Sequence, residues 1–298
     1  MSSTQPRPAL RCGDRTLAFR RTPLVMGILN VTPDSFSDGG QFTSRDAAVA
    51  HAHAMAAAGA DVIDAGGEST RPGANAISPQ EEIDRVVPVI EMLVHGGDRR
   101  PRLPIPVSVD TRNPLVARAA LGAGATMLND VNATRDSAMV DVLRDHPHVP
   151  VVLMHMLGEP RTMQDDPHYD DAPVEVADYL ALRAAALEAG GIDRSRILLD
   201  PGIGFGKRVF DNLAILKSID ALRALGYPVL VGASRKSFLG KLLGGAAPED
   251  RLPGSLAVAA LCHQRGVEML RVHDVPATVG FLRVLDAIDH PDDHRPGR

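Results

Sequence analysis

The sequence predicts a single α/β domain, a (β/α)8 or TIM barrel with an amino-terminal β-hairpin. Short apolar runs alternate along the chain with longer Ala- and Leu-rich segments. This alternation is typical of a parallel sheet covered by helices. Eight such runs occur within 298 residues, and eight units at this length favour a closed barrel over an open doubly wound sheet.

The predicted elements begin with a hairpin near the amino end. The stretch LRCGDRTLAF places a Gly-Asp turn between two short apolar stretches, so we expect a hairpin that covers one end of the barrel. The predicted strands are 24–30, 61–67, 105–110, 126–130, 151–155, 197–200, 228–234 and 269–274. The predicted limits are 1–9 for a disordered amino end, 10–289 for the barrel domain and 290–298 for a disordered tail.

Two of the predicted helices carry end signals. After the first barrel strand, Ser44 is expected to cap a helix that stops at Gly59. After the third, Asn113 is expected to cap a helix that has Pro114 at its first position.

Composition excludes several classes of protein. Hydrophobic residues make up 44% of the chain, and the net charge of −5 has no basic block, which argues against a nucleic-acid partner. No apolar run approaches a membrane span and the amino end lacks a signal-peptide core, so we expect a cytoplasmic protein with no membrane partner. The distant cysteines, Cys12 and Cys262, suit a reducing compartment.

The stretch LLDPGIGFGK (198–207) looks like a phosphate-binding loop but fails both familiar patterns. A P-loop has four residues between its glycines and a Ser or Thr after its lysine, whereas three residues separate Gly202 from Gly206 and an arginine follows Lys207. The glycine spacing of the dinucleotide fingerprint is also absent. What remains is a buried strand that ends in Asp200 and opens into a loop whose glycines allow close backbone approach.

Nearly every predicted strand ends in a polar residue. These residues are Asn30, Asp64, Asp110, Asn129 with Asp130, His155, Asp200, Ser234, and Arg271 with His273. The carboxyl ends of barrel strands meet at one face, where barrel enzymes hold their active sites. We therefore expect these side chains to line one pocket.

The chemistry of this set predicts a ligand with two different ends. Acids and amides at several strand ends would accept hydrogen bonds from an amino-pyrimidinone edge, while Arg271 and His273 would hold an anion such as diphosphate. Ser234 in GASRKSF is expected to cap a following helix and to leave Lys236 at the pocket mouth. The loops NVTPDSFSDGG (30–40) and GGESTRPGA (66–74) have the composition of mobile loops that close over a substrate.

Eight motifs, in order, resemble those of dihydropteroate synthases. They are NVTPDSFSDGG, DAGGESTRPGA, SVDT, LND, VLMHM with PRTMQ, LDPGIGFGK, GASRKSF and RVHD, and the resemblance runs from Leu24 to Val284. It implies a transferase that joins 7,8-dihydropterin-6-ylmethyl diphosphate to 4-aminobenzoate, releasing diphosphate and forming 7,8-dihydropteroate in folate biosynthesis. It also implies a homodimer, Mg²⁺ as cofactor and a target of sulfonamides.

The resemblance assigns roles motif by motif. The pterin would be bound by Asp110, Asn129, Met154, Asp200, Gly232 and Lys236. The diphosphate would be bound by Asn30, Thr70, Arg271 and His273, and Asn30 would also bind Mg²⁺. The aminobenzoate would lie against Phe36, Thr70, Arg71, Pro72, Gly204, Phe205, Lys236 and Ser237. The catalytic set would be Asp110, Asp200, Lys236, Arg271 and His273, and no role is assigned to Lys207, Glu159 or Arg135.

The implied mechanism is SN1-like. If the C–O bond to diphosphate breaks before the amine attacks, the carboxylates favour the cation on the dihydropterin and the basic groups stabilise the leaving anion. No covalent nucleophile is needed, so the Ser, His and Asp residues are not interpreted as a hydrolase triad.

Three alternative functions fit parts of the pattern. A pterin-dependent methyltransferase module resembles the barrel but needs neither aminobenzoate loop, and the intact TPDSF and STRPG loops favour the synthase. A noncatalytic pterin-binding paralogue would be expected to lose Lys236, Arg271 or the loop motifs, which are present. A bifunctional folate enzyme lacks room, since the barrel consumes the chain.

Overall fold

The amino-terminal hairpin lies where the sequence predicts it. The structure, a computed structural model, describes residues 9–32, 40–68, 77–97, 100–159 and 161–295. Strands β1 (Leu10–Cys12) and β2 (Arg15–Leu17) pair antiparallel. The turn between them contains Gly13, whose φ of +64° is a left-handed conformation that glycine adopts without strain.

Eight parallel strands form the barrel, which confirms the predicted fold class. They are β3 (Leu24–Asn30), β4 (Val62–Gly66), β5 (Val107–Asp110), β6 (Met127–Asp130), β7 (Val151–Met154), β8 (Ile197–Asp200), β9 (Leu230–Val231) and β10 (Met269–Val272). Their order in the sheet is β8-β7-β6-β5-β4-β3-β10-β9. A bridge between Leu199 and Val229 brings β8 beside the segment before β9, so the ring nearly closes.

Helices connect and cover the strands. They are α1 (Gly40–Ala57), α2 (Pro79–His95), α3 (Pro114–Gly122), α4 (Ser137–Asp145), α5 (Ala172–Ala189), α6 (Val209–Lys217), α7 (Ile219–Arg223), α8 (Ser237–Leu242), α9 (Leu252–Gln264) and α10 (Val275–Asp289). The predicted cap of α3 is confirmed, since the Asn113 side chain accepts a hydrogen bond from the Leu115 N–H at 3.0 Å. The predicted cap at Ser44 is wrong, because α1 begins one turn earlier, at Gly40.

The carboxyl-terminal segment contains a short helix. A short 3-10 helix, Pro291–His294, lies within the segment 290–298, for which the sequence predicts a disordered tail. The domain limits stay a prediction. Among the helices in the described part of the chain, none combines the length and apolarity that crossing a bilayer requires.

The barrel interior is apolar at its amino-terminal end. One cluster of buried side chains there includes Leu24, Met26, Val62, Met127, Val152, Leu198, Leu230 and Met269. Leu10 and Cys12 of the hairpin belong to the same cluster and are fully buried. The hairpin therefore closes this end, as expected, and each large apolar side chain buried there contributes about 1.5–3 kcal/mol.

Strand register places polar residues side by side at the opposite, carboxyl end. Asn30 lies opposite Gly66, Gly66 opposite Asp110, and Asp110 opposite Asn129. Side chains two residues apart on a strand point to the same face. The ladder thus sets polar strand ends in one row around the mouth of the barrel, which is where the candidate site lies.

Candidate active site

A small pocket opens at the carboxyl end of the barrel. It is lined by Asp110, Asn129, Val131, Met154, Asp200, Phe205, Gly232, Lys236 and Arg271. Residues from five strand ends and two loops thus meet at one place, as the sequence predicts. Eight of the nine were assigned to the site from the motifs, and Val131 was not.

Arg271 binds two carboxylates at this pocket. Its Nε donates to Asp64 Oδ2 at 2.6 Å, and its Nη2 donates to Asp110 Oδ2 at 2.6 Å. The Asn129 Nδ2 also donates to Asp64 Oδ2, at 2.9 Å. One N–H of the Asn129 amide is therefore used within the protein. Its carbonyl oxygen can accept a hydrogen bond from a ligand.

Asp64 is a functional candidate that the motif-based roles miss. It is fully buried, and its Oδ1 has no hydrogen-bond partner among the described residues. A carboxylate in a buried strand is costly unless a cation or donors compensate it. The signal was present in the sequence, where Asp64 interrupts the apolar strand VIDAG, but its partner Arg271 is 207 residues away along the chain.

The acids of the pocket have raised pKa values. Burial raises the pKa of Asp110 to about 7, with Arg271 opposing the rise and Asp64 adding to it. Burial raises the pKa of Asp200 to about 6, opposed by the Gly202 N–H and by the charges of Lys236 and Arg271. Burial also disfavours the Arg271 cation, but the charges of Asp64 and Asp110 raise its pKa above the usual range. Arg271 therefore stays charged.

Asp200 is held by the loop that follows it. Its Oδ1 accepts a hydrogen bond from the Gly202 N–H at 2.7 Å. Gly202 has a φ of +64°, and a Cβ at this position would lie 1.9 Å from the His155 carbonyl oxygen. Only glycine fits there, so the glycines of LLDPGIGFGK build a tight loop beneath the site.

Lys207 does not line the pocket. Its Nζ lies 2.9 Å from the Gly202 carbonyl oxygen, 3.0 Å from that of Phe205 and 2.9 Å from His155 Nδ1. The side chain is 3% exposed. The lysine of this glycine-rich stretch therefore binds carbonyl groups of its own chain, which explains physically why the resemblance to a phosphate loop was superficial.

The walls of the pocket are apolar and aromatic. Met154 and Phe205 pack with Val131, Met156 and Met163 in one buried cluster. The Lys236 Nζ lies 3.9 Å from the centre of the Phe205 ring, a cation–π contact.

Glycines leave room beside these walls. A Cβ at Gly232 would make only ordinary contacts, 3.7 Å from Arg271 Cβ and 3.8 Å from Asp200 Oδ2. Neighbouring protein atoms therefore do not require glycine at this position, and the space it leaves faces the acid. Gly204, with a φ of +83°, lies against the Lys236 side chain.

His273 lies beside the pocket and is neutral. Burial, together with the charges of Arg271 and Arg235, lowers the pKa of His273 to about 4. Ser234 Oγ lies 3.1 Å from His273 Nδ1 and accepts from the His273 backbone N–H at 3.2 Å. The prediction that Ser234 caps a helix is wrong, because α8 begins after Lys236 and Ser234 instead holds His273.

The remaining predicted residues divide into two groups. Phe36, Thr70, Arg71 and Pro72 lie outside the described residues. Asn30 ends β3 and is half-buried, and Ser237 is exposed at the first position of α8.

Arg112 forms an ion-paired cluster at the carboxyl end of the barrel. Arg112 binds Glu68 through two hydrogen bonds of 3.1 Å and Glu159 at 3.2 Å, so it joins the ends of three loops. Arg135 donates to the Tyr179 hydroxyl at 2.9 Å and to the Met156 carbonyl. Glu159 and Arg135, which had no role from the sequence, thus have structural contacts.

The described residues contain no group of three or more His, Cys, Asp or Glu side chains that could hold a metal ion. A metal held by protein ligands alone therefore has no candidate among them. Mg²⁺ is a different case, because it keeps several waters and often takes substrate phosphates with one or two protein oxygens. The Asn30 amide oxygen at the barrel mouth fits that requirement.

Comparison with known proteins identifies the class of site. The family model described as "Pterin binding enzyme" matches residues 26–273. The match covers most of the chain, so the chain belongs to the pterin-binding enzymes.

Individual relatives narrow this class. Dihydropteroate synthase of Escherichia coli (strain K12) is 45% identical over 265 residues, covering 89% of this chain and 91% of the relative. Dihydropteroate synthase of Bacillus subtilis (strain 168) is 44% identical over 274 residues, covering 91% and 90%. The chain belongs to the dihydropteroate synthase family, whose members are transferases.

Solved structures agree with this placement. Xanthomonas albilineans dihydropteroate synthase with 4-aminobenzoic acid superimposes with a TM-score of 0.87 at 51% identity, covering 95% of this chain and 98% of that one. The same organism's enzyme with 7,8-dihydropteroate gives 0.84 at 48% identity, covering 95% and 99%. The Yersinia pestis enzyme with a sulfonamide drug complex gives 0.85 at 41% identity, covering 94% and 99%.

Proposed function

We propose that the chain transfers the 7,8-dihydropterin-6-ylmethyl group from its diphosphate to the amine of 4-aminobenzoate, forming 7,8-dihydropteroate for folate biosynthesis. The observation that carries this proposal is the pocket where Asp110, Asn129 and Asp200 face Lys236 and Arg271. A similar enzyme, that of Xanthomonas albilineans, has this fold and has been solved with 4-aminobenzoic acid and with 7,8-dihydropteroate.

The pterin end of the substrate is assigned to the acids and the amide. Asp110, Asn129 and Asp200 offer oxygen acceptors to the N–H groups of a pterin ring, and Met154 packs as an apolar wall. The open side of Gly232 leaves space beside Asp200 for the flat ring. Lys236 reaches the polar edge of the ring from the mouth.

The anionic end is assigned to Arg271, His273, Asn30 and Thr70. The hydrogen bonds of Arg271 to Asp64 and Asp110 use two of its three nitrogens and leave the third for diphosphate. His273 takes part as a neutral donor because its pKa is lowered to about 4, so Arg271 supplies the charge. Asn30 would hold Mg²⁺, which when bound with the diphosphate would neutralise charge on the leaving group.

The aminobenzoate is assigned to the side of the pocket that Phe205 and Lys236 line. Gly204, Phe205, Lys236 and Ser237 form the described part of this side. Phe36, Thr70, Arg71 and Pro72 complete it in the proposal. The cation–π contact of Lys236 with Phe205 joins the pterin and aminobenzoate positions.

The reaction is assigned an SN1-like course. The C–O bond breaks with its electron pair leaving on diphosphate, the amine nitrogen then bonds to the methylene carbon, and the ammonium proton goes to solvent or diphosphate. Asp110 and Asp200 stabilise the positive charge that develops on the dihydropterin. Slow diphosphate release in the absence of aminobenzoate would support this order. Release that strictly requires aminobenzoate would favour concerted attack.

The experiment that tests the function is product formation from both substrates with Mg²⁺, followed by chromatography and a diphosphate assay. We expect dihydropteroate and diphosphate in equal amounts, and neither in a mixture without enzyme. A folded protein that binds the pterin substrate but forms no product would contradict the synthase and favour the noncatalytic paralogue.

A homodimer is proposed as the assembly. Large apolar side chains are exposed on α6, around the end of α8 and on α10, namely Phe210, Leu213, Leu242, Leu243, Val284 and Ile288. Large exposed apolar groups on neighbouring helices favour a protein interface. Light scattering should give twice the monomer mass, and a monomer at micromolar concentration would contradict the assignment.

A cytoplasmic location is also proposed. Cys12 and Cys262 are both free thiols, and burial raises the pKa of each to about 12. Unpaired cysteines suit a reducing compartment. Fractionation of the source cells tests this, and recovery outside the cytoplasm would contradict it.

A further inference from the structure

The buried ammonium of Lys207 lies behind the proposed site and has no part in the roles assigned above. It approaches four acceptors, the carbonyl oxygens of His155, Gly202 and Phe205 and the Nδ1 of His155, at distances of 2.9 to 3.3 Å. An ammonium has three N–H donors, so all of them are used within the protein.

The histidine partner is an acceptor. Burial and the charge of Lys207 lower the pKa of His155 to about 2, so the imidazole is neutral and its Nδ1 accepts from the ammonium. The His155 ring packs edge-on against Tyr179 at 4.9 Å between centres, and it lies 6.1 Å from Tyr169. Lys207 thus contacts a histidine ring that is itself packed against two tyrosines.

The segment that Lys207 binds is rich in glycine and is also held by other side chains: the Gly204 N–H donates to Asn212 Oδ1 at 2.7 Å and the Tyr169 hydroxyl donates to the Gly206 carbonyl at 2.8 Å. Gly202, Gly204 and Gly206 all have φ between +61° and +83°, and glycine has the largest backbone freedom of any residue. The carbonyl groups held by Lys207 lie on both sides of Gly204. One ammonium therefore links both halves of the turn to His155.

This turn carries two groups of the pocket. The Gly202 N–H donates to Asp200 Oδ1 at 2.7 Å, and the Phe205 ring lies beneath the Lys236 ammonium at 3.9 Å. A shift of the turn would move the acid and the ring together. Asp200 belongs to the pterin side of the proposed site and Phe205 to the aminobenzoate side.

We propose that Lys207 is a positioning residue for the transfer: its ammonium holds the turn of residues 202–206 so that Asp200 and Phe205 face the two substrates. The inference rests on the proposed function. The inference extends that function by assigning a positioning role to a residue that contacts neither substrate.

The charges around this pair set the expected direction of a pH effect. Asp200 faces the cations Lys236, Arg271 and Lys207, and each lowers its pKa. Lys207 faces Asp200 and Asp211, which favour its charge, and Lys236, which opposes it; burial lowers its pKa to about 7. Removing the Lys207 charge should raise the pKa of Asp200 further, so activity should begin to fall at a higher pH during acidification.

The test compares Lys207→Met, Lys207→Gln and Lys207→Arg in steady-state kinetics with both substrates across pH 5 to about 9, with thermal melting of each variant. Tyr169→Phe is the matched control, because the Tyr169 hydroxyl donates to the Gly206 carbonyl of the same turn at 2.8 Å without touching the ammonium. In Lys207→Met and Lys207→Gln we expect kcat/KM to fall by up to about a hundredfold, a higher KM for 4-aminobenzoate and an acid limb shifted to higher pH.

Lys207→Arg, which keeps the charge, should recover the position of the acid limb. Tyr169→Phe should stay within about threefold of the unmodified enzyme. An acid limb at the same pH in Lys207→Met, Lys207→Gln and the unmodified enzyme, or kinetic losses that follow only the loss of melting temperature, would overturn the proposal. Failure of the unmodified enzyme to form dihydropteroate would count against the proposed function instead, so the two failures are distinguishable.

Discussion

The two ends of the barrel interior differ in the chemistry that fills them. At the amino-terminal end, Leu10 and Cys12 of the hairpin complete a cluster of Leu, Met and Val side chains. At the carboxyl end, Asp64, Asp110 and Asp200 surround Arg271 within the same ring of strands. Apolar burial stabilises a fold directly, whereas buried charges add little net stability even when paired.

The difference shows how one fold separates stability from function. The hairpin end can change in sequence as long as its volume is kept, since volume-conserving apolar exchanges cost little. The carboxyl end holds groups whose positions and charges are costly to maintain, and such groups cluster at functional sites. Variants at the amino-terminal end should therefore change the free energy of unfolding, and variants at the carboxyl end should change kcat/KM.

The largest expected effect is the loss of transfer activity in Arg271→Leu. This variant removes the cation that compensates Asp64 and Asp110 and that would stabilise the departing diphosphate. We expect kcat/KM to fall by about 10²–10³-fold. Activity within tenfold of the unmodified enzyme would contradict the role of Arg271 in stabilising the leaving group.

A variant at the amino-terminal end should lose much stability while its kcat/KM stays unchanged. Leu10→Ala leaves a cavity in the apolar cluster and should lower the free energy of unfolding by about 2–5 kcal/mol. Denaturant titration measures this loss, and Leu10→Met, the volume-conserving control, should cost less than about 1.5 kcal/mol. A change in kcat/KM of folded Leu10→Ala would break the separation between the two ends.

A smaller effect is expected for Asp200→Ala. The variant removes a charge-assisted contact worth about 1.5–3 kcal/mol, so binding of the pterin substrate should weaken roughly tenfold to a hundredfold. Calorimetric titration measures it. Glu268→Ala is the control, since Glu268 is also buried but accepts from the Val229 N–H at the amino-terminal end of the barrel; it should lower stability and leave affinity unchanged. Equal affinities for the Asp200 variant and the unmodified enzyme would refute the contact.

The smallest effect is a pH dependence with opposite signs for activity and stability. The folded-state pKa values of Asp110 and Asp200 are raised to about 7 and about 6, so the stability these groups contribute is present at low pH and lost as pH rises through those values. Activity should rise over the same range, because the ionised acids bind the pterin. Asp200→Asn should reduce the fall in stability between about pH 4 and 6, as measured by denaturant titration. An unchanged slope of the free energy of unfolding against pH would contradict the raised pKa of Asp200.

The hairpin, the barrel and most pocket residues could be predicted because they depend on local patterns. Apolar runs of four to seven residues that end in polar groups indicate strands whose ends meet at one face. Asp110, Asn129, Asp200 and Arg271 therefore came together as expected.

Features that depend on distant contacts could not be predicted. The pairing of Asp64 with Arg271 joins strands at opposite ends of the sequence, and the neutral state of His273 results from burial and two nearby arginines. Ser234 precedes a helix in the sequence, but in the fold it lies against His273. In each case a tertiary neighbour, which no local motif reveals, determines what the side chain does.

The most direct test of the account is a crystal structure of the protein with 7,8-dihydropteroate. The account predicts the pterin ring at the carboxyl end of the barrel, with its N–H groups within about 3.2 Å of Asp110, Asn129 and Asp200 oxygens and its aminobenzoate part beside Phe205. A ligand bound elsewhere, or a pterin ring in this pocket that leaves those three side chains without contact, would contradict it.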